Sequence, residues 1–245
     1  MTESNDVDRK KLWRYIPLIS LLDLLQTGEL RLPRADSFED IQEGHIGLDA
    51  ILKSFPTIQL YQHKEALERQ NTECFVSCWH LSSSESLAMW KVYGGHAFSV
   101  ALVSNVGKVV SACHEHCKDL SSTGMFGEVI YDNYVSDGKI NVETMGLPFG
   151  YRDLPVPISI QTLFMKAQAF SYEQEWRLVL HKPSIKQSSI RISIPNIEEF
   201  IEAIYISPEA PEWMIESIKR LISDQFGFTK ISVSKSPLCK HFKIS

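Results

Sequence analysis

Residues 172–180, Tyr172-Glu173-Gln174-Glu175-Trp176-Arg177-Leu178-Val179-Leu180, read as a polar approach that turns into a strand from Trp176 to Leu180. In an extended backbone, residues i and i+2 share a face, so Glu173, Glu175 and Arg177 point the same way. Two carboxylates that close raise at least one pKa, which is how a site obtains an acid pair with divided roles. Arg177, on the same face, holds one of them ionised. The competing reading is a solvated acidic edge with a structural arginine.

Outward from this stretch, the chain has 245 residues, enough for one large domain or two small ones. We read it as a single domain over 1–245, with a flexible polar start at 1–9 and a catalytic-like core at 10–245. With 44% hydrophobic and 22% charged residues, a sizeable core forms without help from disulfides or metals. The net charge of −5 argues against a broad nucleic-acid surface but leaves room for a local basic patch. Residues 1–11 lack the apolar segment of an export signal, and no apolar run approaches membrane-spanning length. The five cysteines are therefore read as reduced thiols, and the protein as cytoplasmic with no membrane partner.

Upstream, Leu12-Trp13-Arg14-Tyr15-Ile16 reads as a strand with a charge in it. Arg14 either pairs with a core carboxylate or holds an anionic ligand at the strand end. Pro17 and Ser20 open a helix closed by Gly28, and Leu30-Arg31-Leu32 alternates as a short strand. The acidic loop Asp36–Glu43 surrounds Phe38 and caps a helix or lines a site. Residues 46–70 read as irregular helix broken at Pro56.

Cys74–Trp79 is almost wholly apolar and reads as a buried strand whose one hydroxyl is Ser77. Ser82-Ser83-Ser84-Glu85 is expected to cap a helix through Leu87, Met89 and Trp90, ended by Tyr93-Gly94-Gly95. Trp13 and Trp79 read as core aromatics, whereas Gly94 and Gly95 would let a ligand approach the backbone near Tyr93.

Ala97–Leu102 and Glu128–Tyr131 read as strands, and 104–126 is ambiguous. The Gly- and Pro-rich stretch after Tyr131 reads as a surface excursion, and a helix is expected from about Ile158 to Phe170. Arg191–Ile194, Ala203–Ile206 and Thr229–Ser234 read as strands, with a helix from Pro211 carrying Met214, Ile218, Leu221 and Ile222. The strands cluster without a regular β-α-β rhythm, so the fold class is α+β. No glycine-rich phosphate loop of dinucleotide-binding or P-loop type is present.

Six elements in order resemble motifs of a large bacterial family, domain-of-unknown-function family 2971. Leu12-Trp13-Arg14-Tyr15 is similar to its "Y-R-Y", Phe38-Glu39-Asp40 with Glu43 to its "F-N-D-P-x-E", and Phe75-Val76-Ser77-Cys78 to its "C-F-S" strand. Met89-Trp90 with Tyr93 resembles "M-W-x-x-Y", Val129-Ile130-Tyr131 "V-x-Y", and Tyr172 to Arg177 "Y-E-x-E-W-R". The second element departs from the pattern at Glu39 and Ile41. This resemblance implies a setting among toxin and phage-defence genes, with an antitoxin or defence-system partner.

A more distant resemblance is to ADP-ribosyltransferases of the Arg-Ser-Glu type. They carry an Arg on the first strand, a Ser in an "S-T-S" strand and "E-x-E" before a later strand. Arg14, Ser77 and Glu173-Gln174-Glu175 occur in that order, although Ser77-Cys78 lacks the Thr. The resemblance implies an ADP-ribosyltransferase-like fold: a mixed, split β-sheet with flanking helices and a cleft that takes NAD as substrate. In that cleft Glu175 would stabilise the ribose cation, Glu173 would orient the nucleophile, and Ser77 would support the ribose. Arg14 would hold the pyrophosphate, with Tyr15 beside it, and Trp90 or Tyr93 would stack on nicotinamide. The acceptor is a protein, a nucleic acid, a small molecule or water.

Four rival readings stay open. Cys113-His114-Glu115-His116-Cys117 offers soft ligands at i and i+4, a spacing repeated by Cys74 and Cys78. Structural zinc sites usually place two residues between cysteines rather than three, so no metal ligand is assigned. A Cys–His nucleophile pair could be drawn from the same cluster. A metal-dependent nuclease would draw on Asp36, Asp40 and Glu43. A non-catalytic binding or sensor module on a degenerate transferase fold needs only the scaffold.

Overall fold

The computed structural model describes residues 4–38, 71–94, 97–114, 116, 123–132 and 162–238. The expected loop Asp36–Glu43 beyond Phe38, the helix at 46–70, and Glu115 and Cys117 lie outside these. The strands are β1 (Lys11–Pro17), β2 (Glu29–Pro33), β3 (Cys74–Leu81), β4 (Ser99–Asn105), β5 (Thr123–Glu128) and β6 (Ile130–Asp132). They continue as β7 (Met165–Ala167), β8 (Glu175–His181), β9 (Ser189–Ser193), β10 (Ala203–Ile206) and β11 (Ser232–Lys235). With the helices between them this is a mixed α+β chain, as its irregular rhythm of elements predicts.

The chain divides into two compact units. The first comprises Met1–Leu30, Trp79–Ala112 and Ile192–Ser245, and the second Arg31–Cys78 and Cys113–Arg191.

In the first unit the strand order is β11-β10-β4-β1-β3, with β10 and β11 parallel and the other pairs antiparallel. Alternation along β1 sends Trp13 and Tyr15 to one face, where they pack with Met89, Trp90, Ala101 and Val103. Arg14 projects from the opposite face, its guanidinium 5.6 Å from the centre of the Trp79 ring. The helix after β1 runs from Leu18 to Thr27, with Pro17 at its N-cap and Gly28 at its C-cap. Gly28 takes φ 67 and donates its N–H to the Leu24 carbonyl, a left-handed stop that favours glycine.

In the second unit the order is β3-β8-β5, with β5 and β8 antiparallel and Cys74–Cys78 supplying the β3 portion. A separate parallel pair is made by β6 and β7. β8 is buried from Glu175 to Leu180 on both faces, which is why it reads as a nearly continuous apolar run. On one face, Val179 packs with Cys74, Val76, Met125, Leu163 and Phe164, and Cys78 and Phe38 lie against that cluster.

The structure corrects several boundaries. The helix expected from Ile158 to Phe170 is, where described, a 3-10 turn (Thr162–Phe164), strand β7 and a second 3-10 segment (Gln168–Glu173). Pairing of Met165–Ala167 with Ile130–Asp132 overrides the local helical pattern. The helix cap expected among Ser82–Glu85 is Ser86, whose hydroxyl accepts from the Met89 N–H. Ala97 and Phe98 form a turn before β4, and the ambiguous 104–126 region contains the helix Val106–His114 and strand β5.

Candidate active site around Glu175

The approach to β8 is a sharp local turn rather than an extended run. The 3-10 segment ends at Glu173, Gln174 adopts φ 41, and β8 begins at Glu175. Gln174 is the single non-glycine residue with positive φ among those described, and such a backbone is costly for a residue with a Cβ. Three hydrogen bonds hold the turn. Gln174 N–H donates to the Ser171 carbonyl at 3.2 Å, Glu175 N–H to the Tyr131 hydroxyl at 2.7 Å, and Val129 N–H to the Glu175 carbonyl at 2.8 Å.

The turn changes how the two glutamates meet. They do not share the face of one strand as i and i+2 predict. They converge instead on one ammonium: Lys166 Nζ lies 2.6 Å from Glu173 Oε2 and 3.7 Å from Glu175 Oε2. Arg177 does sit on the Glu175 face of β8 and grips that carboxylate with two bonds, Nε to Oε1 at 2.9 Å and Nη2 to Oε2 at 2.7 Å. Its Nη1 donates to the Leu163 carbonyl at 2.6 Å, and its guanidinium lies over Phe38. Lys166 lies over the Phe170 ring, 4.8 Å from its centre.

These four charges, two of each sign, are buried together. Relative exposures are 0% for Arg177, 2% for Glu173, 4% for Lys166 and 7% for Glu175. Glu175 is thus the member most open to solvent. Burial alone pushes its carboxyl up. Arg177, then Lys166, and a hydrogen bond from the Cys78 thiol outweigh that and hold it below the ordinary carboxylate range. The raised carboxyl expected of a close acid pair is therefore not what Glu175 shows, because each acid has a cation. Tyr131 is pushed up, chiefly by burial and further by Glu175 and Glu173. Its neutral hydroxyl accepts the Glu175 N–H. Among the described residues, no buried side-chain nitrogen or oxygen is left without a hydrogen-bond partner.

The other candidate residues are placed as follows. Ser77 is fully buried in β3, and alternation sends it to the face opposite Cys78, the residue that touches Glu175. Arg14 lies in the first unit, on the β1 face opposite Tyr15. Tyr15 is buried: its hydroxyl accepts from Ser86 N–H at 2.8 Å and its ring meets Trp90 edge-on at 5.0 Å. Trp90 is 2% exposed and donates its indole N–H to Glu85 at 2.9 Å. Tyr93, at the end of that helix, is 46% exposed, so its ring is the accessible one. Gly94 leaves room for Trp90 rather than for a ligand: a Cβ there would stand 2.6 Å from the indole ring. Cys113 and Cys74 are buried cysteines of the second unit that form no disulfide.

Reading the sequence missed Lys166, which it had placed in a helix, and gave Tyr131 no role. The "V-x-Y" element was a signal for the second. For Lys166, a lysine amid Phe164, Met165 and Phe170 was a signal for burial with a counter-charge.

A family model described as "Protein of unknown function (DUF2971)" matches residues 89–178. That span contains the Met89-Trp90–Tyr93, Val129–Tyr131 and Tyr172–Arg177 elements, and with them all four buried charges. No curated protein matches the chain. Among solved structures, the chain is similar to DarT of Thermus sp. 2.9 in complex with ADP-ribosylated single-stranded DNA, at 12% identity and TM-score 0.38. That match covers 92% of this chain and 93% of that one. It is similar also to the same protein in complex with NAD+, at 10% identity and TM-score 0.38 over 92% and 94% of the two chains. No helix among the described residues is long and apolar enough to cross a membrane.

Proposed function

We propose that the protein is an NAD-dependent ADP-ribosyltransferase or NAD glycohydrolase acting as a toxin or phage-defence effector. The reading is carried by the head of β8, where the two-pronged grip of Arg177 fixes the Glu175 carboxylate with Lys166 beside it. The ordered Arg14, Ser77 and Glu173–Glu175 resemblance supports it.

The chemistry needs such a group. When the nicotinamide–ribose bond of NAD breaks, its electron pair leaves with neutral nicotinamide and the ribose becomes an oxocarbenium-like cation. A fixed anion in a site of low dielectric stabilises that charge without reorganising. A nucleophile then adds to the ribose carbon and loses its proton, to give an ADP-ribosylated acceptor, or ADP-ribose when water attacks. Glu173 is bound to Lys166, so its part is to hold that ammonium rather than to meet the nucleophile. The acceptor class is protein or nucleic acid, with an antitoxin as the partner that would restrain the activity.

The test is incubation of the purified chain with NAD labelled separately in nicotinamide and in adenine, with and without cell extract. Nicotinamide release is expected, with loss of roughly a hundredfold or more in Glu175→Gln. The location of the adenine label names the acceptor. A second reading, a non-catalytic binding module, draws on the two-pronged Arg177 grip, which gives Glu175 a complete structural role. Binding of NAD without nicotinamide release, in every extract tried, would replace the first reading with the second.

A further inference from the structure

Lys166 is the least expected member of the buried cluster. It stands in β7, a three-residue strand. It reaches both glutamates, although Glu173 lies in a 3-10 segment and Glu175 in β8. Without its ammonium, two carboxylates would be buried beside the single charge of Arg177, which is already committed to Glu175 and to the Leu163 carbonyl. Buried like charges at this range do not both stay ionised.

We infer that Lys166 is a positioning residue that offsets Glu173 so that Glu175 meets the ribose of NAD as a carboxylate. The inference rests on the reading of NAD as substrate. The groups that face Lys166 and Glu175 are Glu173 from the 3-10 segment, Arg177 from β8, Tyr131 from β6 and Cys78 from β3. Tyr131 and Cys78 supply hydrogen bonds to Glu175 or its backbone and no positive charge. Lys166 is the one cation of the described cluster that touches both acids. Arg177 sets the direction in which the Glu175 carboxylate points, and Lys166 sets the charge balance that keeps it ionised beside a second acid.

The experiment is the pH dependence of nicotinamide release by the full chain from about pH 4 to about pH 9, for wild type, Lys166→Met, Lys166→Gln and Lys166→Arg. Wild type is expected to hold its rate down to the acid end of the range. Lys166→Met should move the acid limb of kcat upward by about one pH unit or more. Lys166→Arg, which keeps the charge, should return the limb to its wild-type position. Lys166→Gln can still hydrogen-bond both carboxylates and keeps the test readable if Lys166→Met does not fold; its limb should move as well. An active wild type whose acid limb stays in place in the neutral variants overturns the role of Lys166 and leaves the NAD reading intact. A wild type that releases no nicotinamide at any pH overturns that reading, and the positioning role with it.

Discussion

The guanidinium of Arg177 grips both oxygens of Glu175 from two positions along the same strand, at 2.9 Å and 2.7 Å, with both side chains buried. The two-pronged fork removes almost all freedom from the carboxylate. It also makes each partner depend on the other, since either charge alone would be buried without its main counter-charge.

Replacing Arg177 is therefore expected to be severe. Arg177→Met should cost about 3 to 5 kcal/mol, because it leaves Glu175 buried against Lys166 alone. Arg177→Lys should recover only part of that, since a point charge cannot make two parallel bonds and also reach the Leu163 carbonyl. Urea unfolding of the three proteins checks both statements, and a fully stable Arg177→Met would remove the case for a closed ion pair.

Acid should weaken this cluster in a set direction. Against the upward push of burial, Arg177 and Lys166 hold Glu175 below the ordinary carboxylate range, so its contribution to stability is present above that range and is lost as pH falls through the lower folded value. The stability gap between wild type and Glu175→Gln should accordingly narrow below about pH 4.5, while remaining flat between neutral pH and about pH 6. Thermal unfolding of both proteins across this range measures it. A gap that widens on acidification would mean that the sign is reversed.

Gln174 stores backbone strain at the entrance to β8. Gln174→Gly should be neutral or stabilising by up to about 1 kcal/mol, since glycine takes positive φ freely. Gln174→Val should cost about 1 to 3 kcal/mol, because a β-branched residue resists that region. Equal stability of the two variants would show that the turn relaxes without penalty.

The cap of the Leu87–Val92 helix distinguishes Ser86 from Ser84, two positions upstream. Ser86→Ala should cost roughly 0.5 to 1 kcal/mol, the low end for an N-cap, as its bond to Met89 N–H is a long 3.4 Å. Ser84→Ala should stay within about 0.5 kcal/mol. The pair is compared by thermal unfolding, and the reverse ranking would return the cap to the upstream serines.

Cys74 should be inert in the folded protein. Its thiol is fully buried and pushed up to about 12, by burial and then by Glu73, so the reactive thiolate is scarce at pH 8. Iodoacetamide at about that pH should leave it unlabelled natively and label it in urea. Rapid native labelling would show that β3 opens.

Much of the chain was legible one residue at a time. Pro17 and Gly28 bracket their helix because one fixes φ and the other accepts the left-handed stop. Cys74–Trp79 and Leu178–Leu180 announce buried strands because few local patterns other than a covered strand tolerate so short an apolar run. The order of elements was enough for a mixed α+β fold, and the acid pair with Arg177 marked the candidate site.

What the sequence could not supply was the set of partners. Lys166 and Glu175 are nine positions apart, and their meeting depends on a parallel pairing of β6 with β7 and on a left-handed Gln174. Neither leaves a local signal, because the pairing partner is distant along the chain and glutamine does not advertise positive φ. The same holds for the strand faces: Tyr15 and Arg14, or Cys78 and Ser77, are neighbours in sequence and opposites in space. Residue chemistry, propensity and spacing are local properties and were fixed by the chain alone. Which charges neutralise which is decided by burial, and burial exists only once the distant strands have paired.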